Sequence, residues 1–199
     1  KRKDAEVAAD IWSMTEDRGR GLVGVFDQKF KKCRKASWAI PSGSPAPVQY
    51  VPVKLTRVLT KKLLRRFRGL AGHKKIQSEF ADETGKRSPW DQFDGIKPII
   101  RVFQDPRSKS QVAAVSADTG PGCGQFSGSF WAVWNVSGAT IKLLTDAKNP
   151  GDFFRPESVV DIDADGTPEL LDWNTMLRFV EGKLKTGQET EAPNFDCPC

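Results

Sequence analysis

Three aspartates at alternate positions, Asp161, Asp163 and Asp165, are followed directly by Gly166 and then by Glu169. These are the residues of the chain best placed to do chemistry. Their carboxylates can converge on one cation if the backbone turns sharply, and Gly166 supplies the freedom for that turn. Glu169 is the expected fourth side-chain ligand, and Thr167 is expected to contribute its backbone carbonyl. An oxygen set rich in carboxylates suits calcium better than magnesium, which demands stricter geometry and keeps several waters. Four negative charges crowded into one turn would repel strongly without a cation.

Other chemistry is less apparent. His73 is the single histidine and lies in Gly-Leu-Ala-Gly-His-Lys-Lys, among positive charges. That is a poor setting for a general base paired to a carboxylate. Neither GxSxG nor HExxH occurs, so a hydrolase would need an active site assembled from distant residues. The four cysteines, Cys33, Cys123, Cys197 and Cys199, are even in number and read as two disulfides. Cys197 and Cys199 flank Pro198, too close for an easy mutual bridge, so each is expected to pair elsewhere. Disulfides favour a secreted, periplasmic or cell-surface location. A zinc site would lack any CxxC pair.

Charge is distributed unevenly. Between Gln28 and Ser78 there are fourteen Lys or Arg and no Asp or Glu, whereas the remainder has seventeen basic and twenty-five acidic residues. The net +6 thus hides a basic segment and an acidic remainder. Lys61, Lys62, Arg65, Arg66 and Arg68 are the candidate anion-binding residues. A basic helix can meet an anionic membrane or a polyanion, or can simply be a solvated face. No nucleic-acid motif accompanies the charge, so no specific nucleic acid is expected. No apolar run approaches the length a helix needs to cross a bilayer.

These candidates depend on a small set of elements. Val7, Ala8, Ile11, Trp12 and Met14 suit a short amphipathic helix in the N-terminal stretch, 1–20, the alternative being a flexible terminus. Gly19 and Gly21 mark a break before a strand over Leu22 to Phe30. Residues 41–47 read as a Pro/Ser-rich loop inside a single domain, 1–199. Val48 to Val53 reads as extended, with Pro52 placing it at an edge. Leu55 to Phe80 has the best helical pattern, with Leu59, Leu63, Phe67 and Leu70 on one face. Gly69 and Gly72 weaken its far end, so one basic amphipathic helix is expected near 55–70. Trp90 and Phe93 are anchors in a turn-rich stretch. From Ile96 onward strands dominate: Ile99 to Gln104, Gln111 to Ala117, and Ser129 to Val136 turning at Ser137-Gly138 into Thr140 to Leu144. Met176 to Val180 and Lys183 to Thr186 form a further hairpin signal. The fold expected is mainly β (α+β), with antiparallel strands and hairpins over 96–199. The apolar Phe130-Trp131-Val133-Trp134 reads as core.

The Asp161-x-Asp163-x-Asp165-Gly166 pattern with Glu169 resembles the calcium loop of FG-GAP and VCBS repeats, found in integrin-like β-propellers and bacterial surface proteins. The resemblance covers about residues 150–180 in one copy, whereas a propeller needs several blades. It implies a structural calcium site pinning a β-hairpin, with Asp161, Asp163, Asp165 and Glu169 as side-chain ligands and Thr167 through its backbone. The EF-hand loop is similar too, but Pro168 and Asp172 fit its eighth and twelfth positions badly, and the flanks read as strands. The expectation is therefore a secreted or periplasmic, calcium-stabilised and non-catalytic interaction module with an unknown protein or surface partner. The alternatives are a hydrolase with a dispersed active site and an anionic membrane or polyanion binder acting through 54–75.

Overall fold

The computed structural model describes residues 7–12, 18–23, 46–119, 126–147, 153–172, 175–180 and 183–189. They fall into two compact units, one of 1–44 with 191–199 and one of 45–190. The four cysteines and most of the 41–47 loop lie outside the described residues.

In the first unit, β1 (Val7–Trp12) pairs antiparallel with β2 (Arg18–Val23), in register from Val7 opposite Val23 to Trp12 opposite Arg18. This corrects two expectations. The apolar residues at 7–12 belong to a strand and not a helix, and Gly19 and Gly21 lie inside the partner strand. A helix of two turns is marginal in water, whereas pairing satisfies the backbone of both segments at once.

The second unit is built on two five-stranded antiparallel sheets. β3 (Val48–Gln49) and β4 (Val51–Pro52) are consecutive, yet each is the edge of a different sheet. Tyr50 marks the change of sheet: its N–H donates to the Val159 carbonyl, while the Val53 N–H donates to Val102 on the other side. Pro52, which cannot donate, sits at an edge as its chemistry requires.

β5 (Ile99–Gln104), β6 (Gln111–Asp118), β7 (Ser129–Ser137) and β8 (Thr140–Asp146) complete the β4 sheet in sequence order. β9 (Ser158–Asp161), β10 (Glu169–Leu171), β11 (Thr175–Val180) and β12 (Lys183–Glu189) complete the β3 sheet. β6 is buried from Val112 to Ala117 because both of its faces are covered. Val112 and Ala114 point with Tyr50, Phe103 and Val133 toward Val159, Leu170 and Leu177 of the other sheet. Ala113, Val115 and Ala117 point the opposite way, into a second apolar cluster with Leu63, Phe67, Ile76 and Phe80. The unit is thus three layers: helices, central sheet and outer sheet.

The helical layer holds two helices where one was expected. α1 (Arg57–Gly69) is capped by Thr56, whose hydroxyl accepts from the Leu59 N–H at 3.2 Å. Leu70 is extended, and the chain restarts as α2 (Ala71–Thr84), which ends at left-handed Gly85. The break lets both apolar faces reach the sheet. It also brings Gly72 so close to Phe130 that an added Cβ would lie 2.4 Å from the ring. Trp90 is fully buried, and Phe93 packs on Phe80, so both act as the expected anchors.

Candidate metal centre

Asp161 is the last residue of β9 and lies opposite Val48, while Glu169 opens β10 opposite Val160. The acidic loop therefore joins two adjacent antiparallel strands, in keeping with flanks that read as strands. Alternate residues of an extended strand stand more than 6 Å apart along it, about 6.6 Å at the usual rise. Positive φ at Ala164 (59°) and Gly166 (91°) coils the loop instead. As a result Asp161, Asp163 and Asp165 each offer a carboxylate oxygen within 4.8 Å of the other two. Two ligands of one calcium ion, each about 2.3–2.6 Å from it, can be at most about 5 Å apart. The three aspartates meet that limit.

Local hydrogen bonds hold the coil. The Gly166 N–H donates to Asp161 Oδ2 at 3.0 Å, the Thr167 N–H to Asp165 Oδ1 at 2.6 Å, and the Asp165 N–H to Asp163 Oδ1 at 3.4 Å. Glu169 stands apart from the three-aspartate group. Its Oε2 accepts the Ile162 N–H at 3.0 Å, and its Oε1 faces Arg178 Nη2 at 3.4 Å. Burial, reinforced by the Asp163 charge, pushes its carboxyl above the usual range despite those two partners. Thr167 is tied to the loop through its own N–H.

Two arginines from elsewhere face the loop. Arg107, on the β5–β6 turn, places Nη2 2.7 Å from Asp161 Oδ2. That turn is itself tied by Asp105, which accepts the Arg107 N–H at 2.8 Å and the Ser108 hydroxyl at 2.6 Å. Arg178, on β11, lies 3.8 Å from Asp163 Oδ2. The linear sequence did not reveal either arginine. Two guanidinium groups offset only part of the charge on Asp105, Asp161, Asp163, Asp165 and Glu169. Behind the loop, burial together with Asp105 and Asp161 raises the phenol pKa of Tyr50.

Asp161 is fully buried, and its Oδ1 has no hydrogen-bond partner among the described residues. A buried carboxylate oxygen left without a donor costs on the order of 1–3 kcal/mol or more. A cation reaching this carboxylate would relieve that cost. The donor set fits a hard divalent ion, since every candidate ligand is oxygen.

A second polar cluster corrects the reading of His73 and Arg68. Asp91, fully buried, receives Arg68 through two hydrogen bonds, at 2.8 and 3.0 Å. His73 Nε2 lies 3.4 Å from the same carboxylate. His73 is thus paired with a carboxylate, contrary to the expectation from its basic neighbours. Burial alone would raise the Asp91 pKa, but the hydrogen bonds from His73 and Arg68 outweigh it and hold the carboxyl low. His73 is buried among Phe67, Trp90 and Phe130. Of the five expected anion-binding residues, Lys61, Lys62, Arg65 and Arg66 are exposed, whereas Arg68 is committed to Asp91. Compared with known proteins, the chain matches no family model, no curated sequence and no solved structure.

Proposed function

We propose that the chain is a calcium-stabilised β module that works by binding a partner, without catalysis, in a secreted, periplasmic or cell-surface setting. The observation that carries the cation is the carboxylate oxygens that Asp161, Asp163 and Asp165 hold within 4.8 Å of one another, in a loop where the buried Asp161 also keeps Oδ1 without a hydrogen-bond partner among the described residues. The β-hairpin flanks support the FG-GAP-like reading of the loop over the EF-hand one, because an EF-hand loop joins helices. Asp161, Asp163 and Asp165 would supply side-chain oxygens with the Thr167 carbonyl, and Glu169 would join them by exchanging its Ile162 and Arg178 partners for the ion. By joining β9 to β10 beside the Arg107 turn, a bound ion would fasten the outer sheet to the central one. The even number of cysteines supports the oxidising compartment. A non-catalytic role is supported by the only histidine being 3% exposed and engaged by a carboxylate that also holds an arginine.

Calorimetric titration of the chelator-treated protein with calcium chloride, and separately with magnesium chloride, tests the cation. The expected result is one saturable calcium site, weaker with magnesium and lost in Asp163→Ala. The arginines favour a second reading, an acidic loop neutralised from within. Absence of calcium binding, or equal binding by Asp163→Ala, would leave that reading standing.

A further inference from the structure

Backbone N–H groups of the acidic loop use one oxygen of each carboxylate and leave the other. Asp161 Oδ2 accepts from Gly166, Asp163 Oδ1 from Asp165, Asp165 Oδ1 from Thr167, and Glu169 Oε2 from Ile162. Two of the oxygens left over, Glu169 Oε1 and Asp163 Oδ2, face one and the same nitrogen, Arg178 Nη2, at 3.4 and 3.8 Å. A guanidinium thus stands where two unused carboxylate oxygens meet.

Arg178 is held there loosely. Both distances exceed the roughly 2.7–2.9 Å of a close charge-assisted bond. Its side chain is 45% exposed, against 5% for Glu169, so water can take over its donors as it swings out. β11, which carries it, lies between β10 and β12, so rotation about side-chain bonds is the motion required. Arg107 is held differently. Its Nη2 is 2.7 Å from Asp161 Oδ2, the oxygen that Gly166 also uses, and Asp105 ties down the turn that carries it. An ion can therefore reach Asp161 through Oδ1 without breaking the Arg107 bond.

We propose that Arg178 is the resident counter-ion of the loop and sets its affinity for a divalent cation. The ion enters by displacing Arg178 from Asp163 and Glu169, while Arg107 stays on Asp161. This inference rests on the cation reading of the loop. The exchange favours a divalent ion, because a monovalent one would replace a charge by an equal charge. Of the two partners of Glu169, Arg178 at 3.4 Å gives way before the Ile162 N–H at 3.0 Å. The self-neutralised loop and the ion-filled loop are then two states of one site.

Calorimetric titration of the full chain with calcium chloride tests it on the parent, Arg178→Gln and Lys109→Gln. Arg178→Gln should bind calcium about tenfold tighter, since a unit charge in the site no longer competes. Lys109→Gln removes the same charge from the β5–β6 turn, where Lys109 Nζ donates to the Pro106 carbonyl, and should bind as the parent does. Thermal unfolding adds a change of sign: Arg178→Gln should melt below the parent in chelator and above it in equal excess calcium. In the parent, calcium should move the Arg178 side-chain Nε–H resonance toward that of free arginine and leave the Arg107 resonance in place. Each resonance is identified by its absence from the matching Arg→Gln variant. Calcium binding by the parent with the Arg178 resonance unmoved would overturn this proposal alone. So would parent-like affinity in Arg178→Gln, or an equal gain in Lys109→Gln. Calcium binding by Arg178→Gln and not by the parent would support it in its strongest form, and binding by neither would overturn the cation reading with it.

Discussion

Substituting Asp161→Asn separates the cation reading from the self-neutralised one, because the expected effect depends on calcium. The change keeps the shape of the side chain and its capacity to accept from the Gly166 N–H. It removes one charge from a cluster whose oxygens lie within 4.8 Å. Each like-charge pair at that range repels by about 1 kcal/mol in water and about 4 kcal/mol at an effective dielectric of 20. Asp163 and Asp165 are exposed, so the aqueous end applies and the relief is roughly 2 kcal/mol in sum. Against it stands the charge-assisted bond from the half-exposed Arg107 guanidinium, which has the opposite sign. In chelator the two terms oppose each other, and the variant should melt within about 4 °C of the parent. At a hundredfold excess of calcium over its dissociation constant, the parent should gain about 2.7 kcal/mol, or ~5–11 °C. The variant should gain almost nothing. Thermal unfolding followed by circular dichroism, with calcium and then with chelator, reads all four midpoints. A full calcium shift in the variant would refute the role given to Asp161 Oδ1. A parent that ignores calcium would refute the site altogether.

Other consequences follow from the same packing. Asp91→Asn leaves Arg68 and His73 without their buried counter-charge and should destabilise by ~2–4 kcal/mol in urea unfolding, a discounted value because Arg68 is one-third exposed. The Asp91 pKa is lowered on folding, so its contribution is present above the ordinary 3.8 and lost as pH falls through the folded value. The gap between parent and Asp91→Asn should therefore close on acidification, and a pH-independent gap would contradict the pairing. Glu169 behaves oppositely: its raised pKa makes ionisation a burden that grows above its ordinary 4.5. In chelator at pH 7, Glu169→Gln should thus match or exceed the parent in stability, and that advantage should disappear below pH 4.5. Gly72→Ala drives a methyl to 2.4 Å from the Phe130 ring and should cost ~1–3 kcal/mol, measured by the same unfolding. A neutral Gly72→Ala would show that α2 does not approach β7 as closely as described.

The strands were legible wherever a local signal bounded them. Asp105-Pro106 stops β5, and Ser137-Gly138 turns β7 into β8, because a proline or a tight turn ends pairing whatever surrounds it. β6 could be read as a strand but not as a two-sided one, since coverage of its second face depends on the outer sheet. At Val7 to Trp12 the apolar spacing is compatible with helix and strand alike. Only pairing with Arg18–Val23 decides between them. The helix break at Leu70 was half visible: the glycines weakened the helix, but a second helix beyond them needed Phe130 to pack against.

By itself the sequence determined the mainly β fold class and the acidic loop. Both arise from residues within a few positions of one another, where spacing and turn chemistry act directly. Only the tertiary structure decided what surrounds them. It brings Arg107 across 54 positions to Asp161, spends Arg68 and His73 on Asp91, and sets Arg178 beside Asp163 and Glu169. These outcomes depend on which segments the packed sheets and helices carry into range. Charge interactions act through space and not along the chain, so residue order could not disclose them.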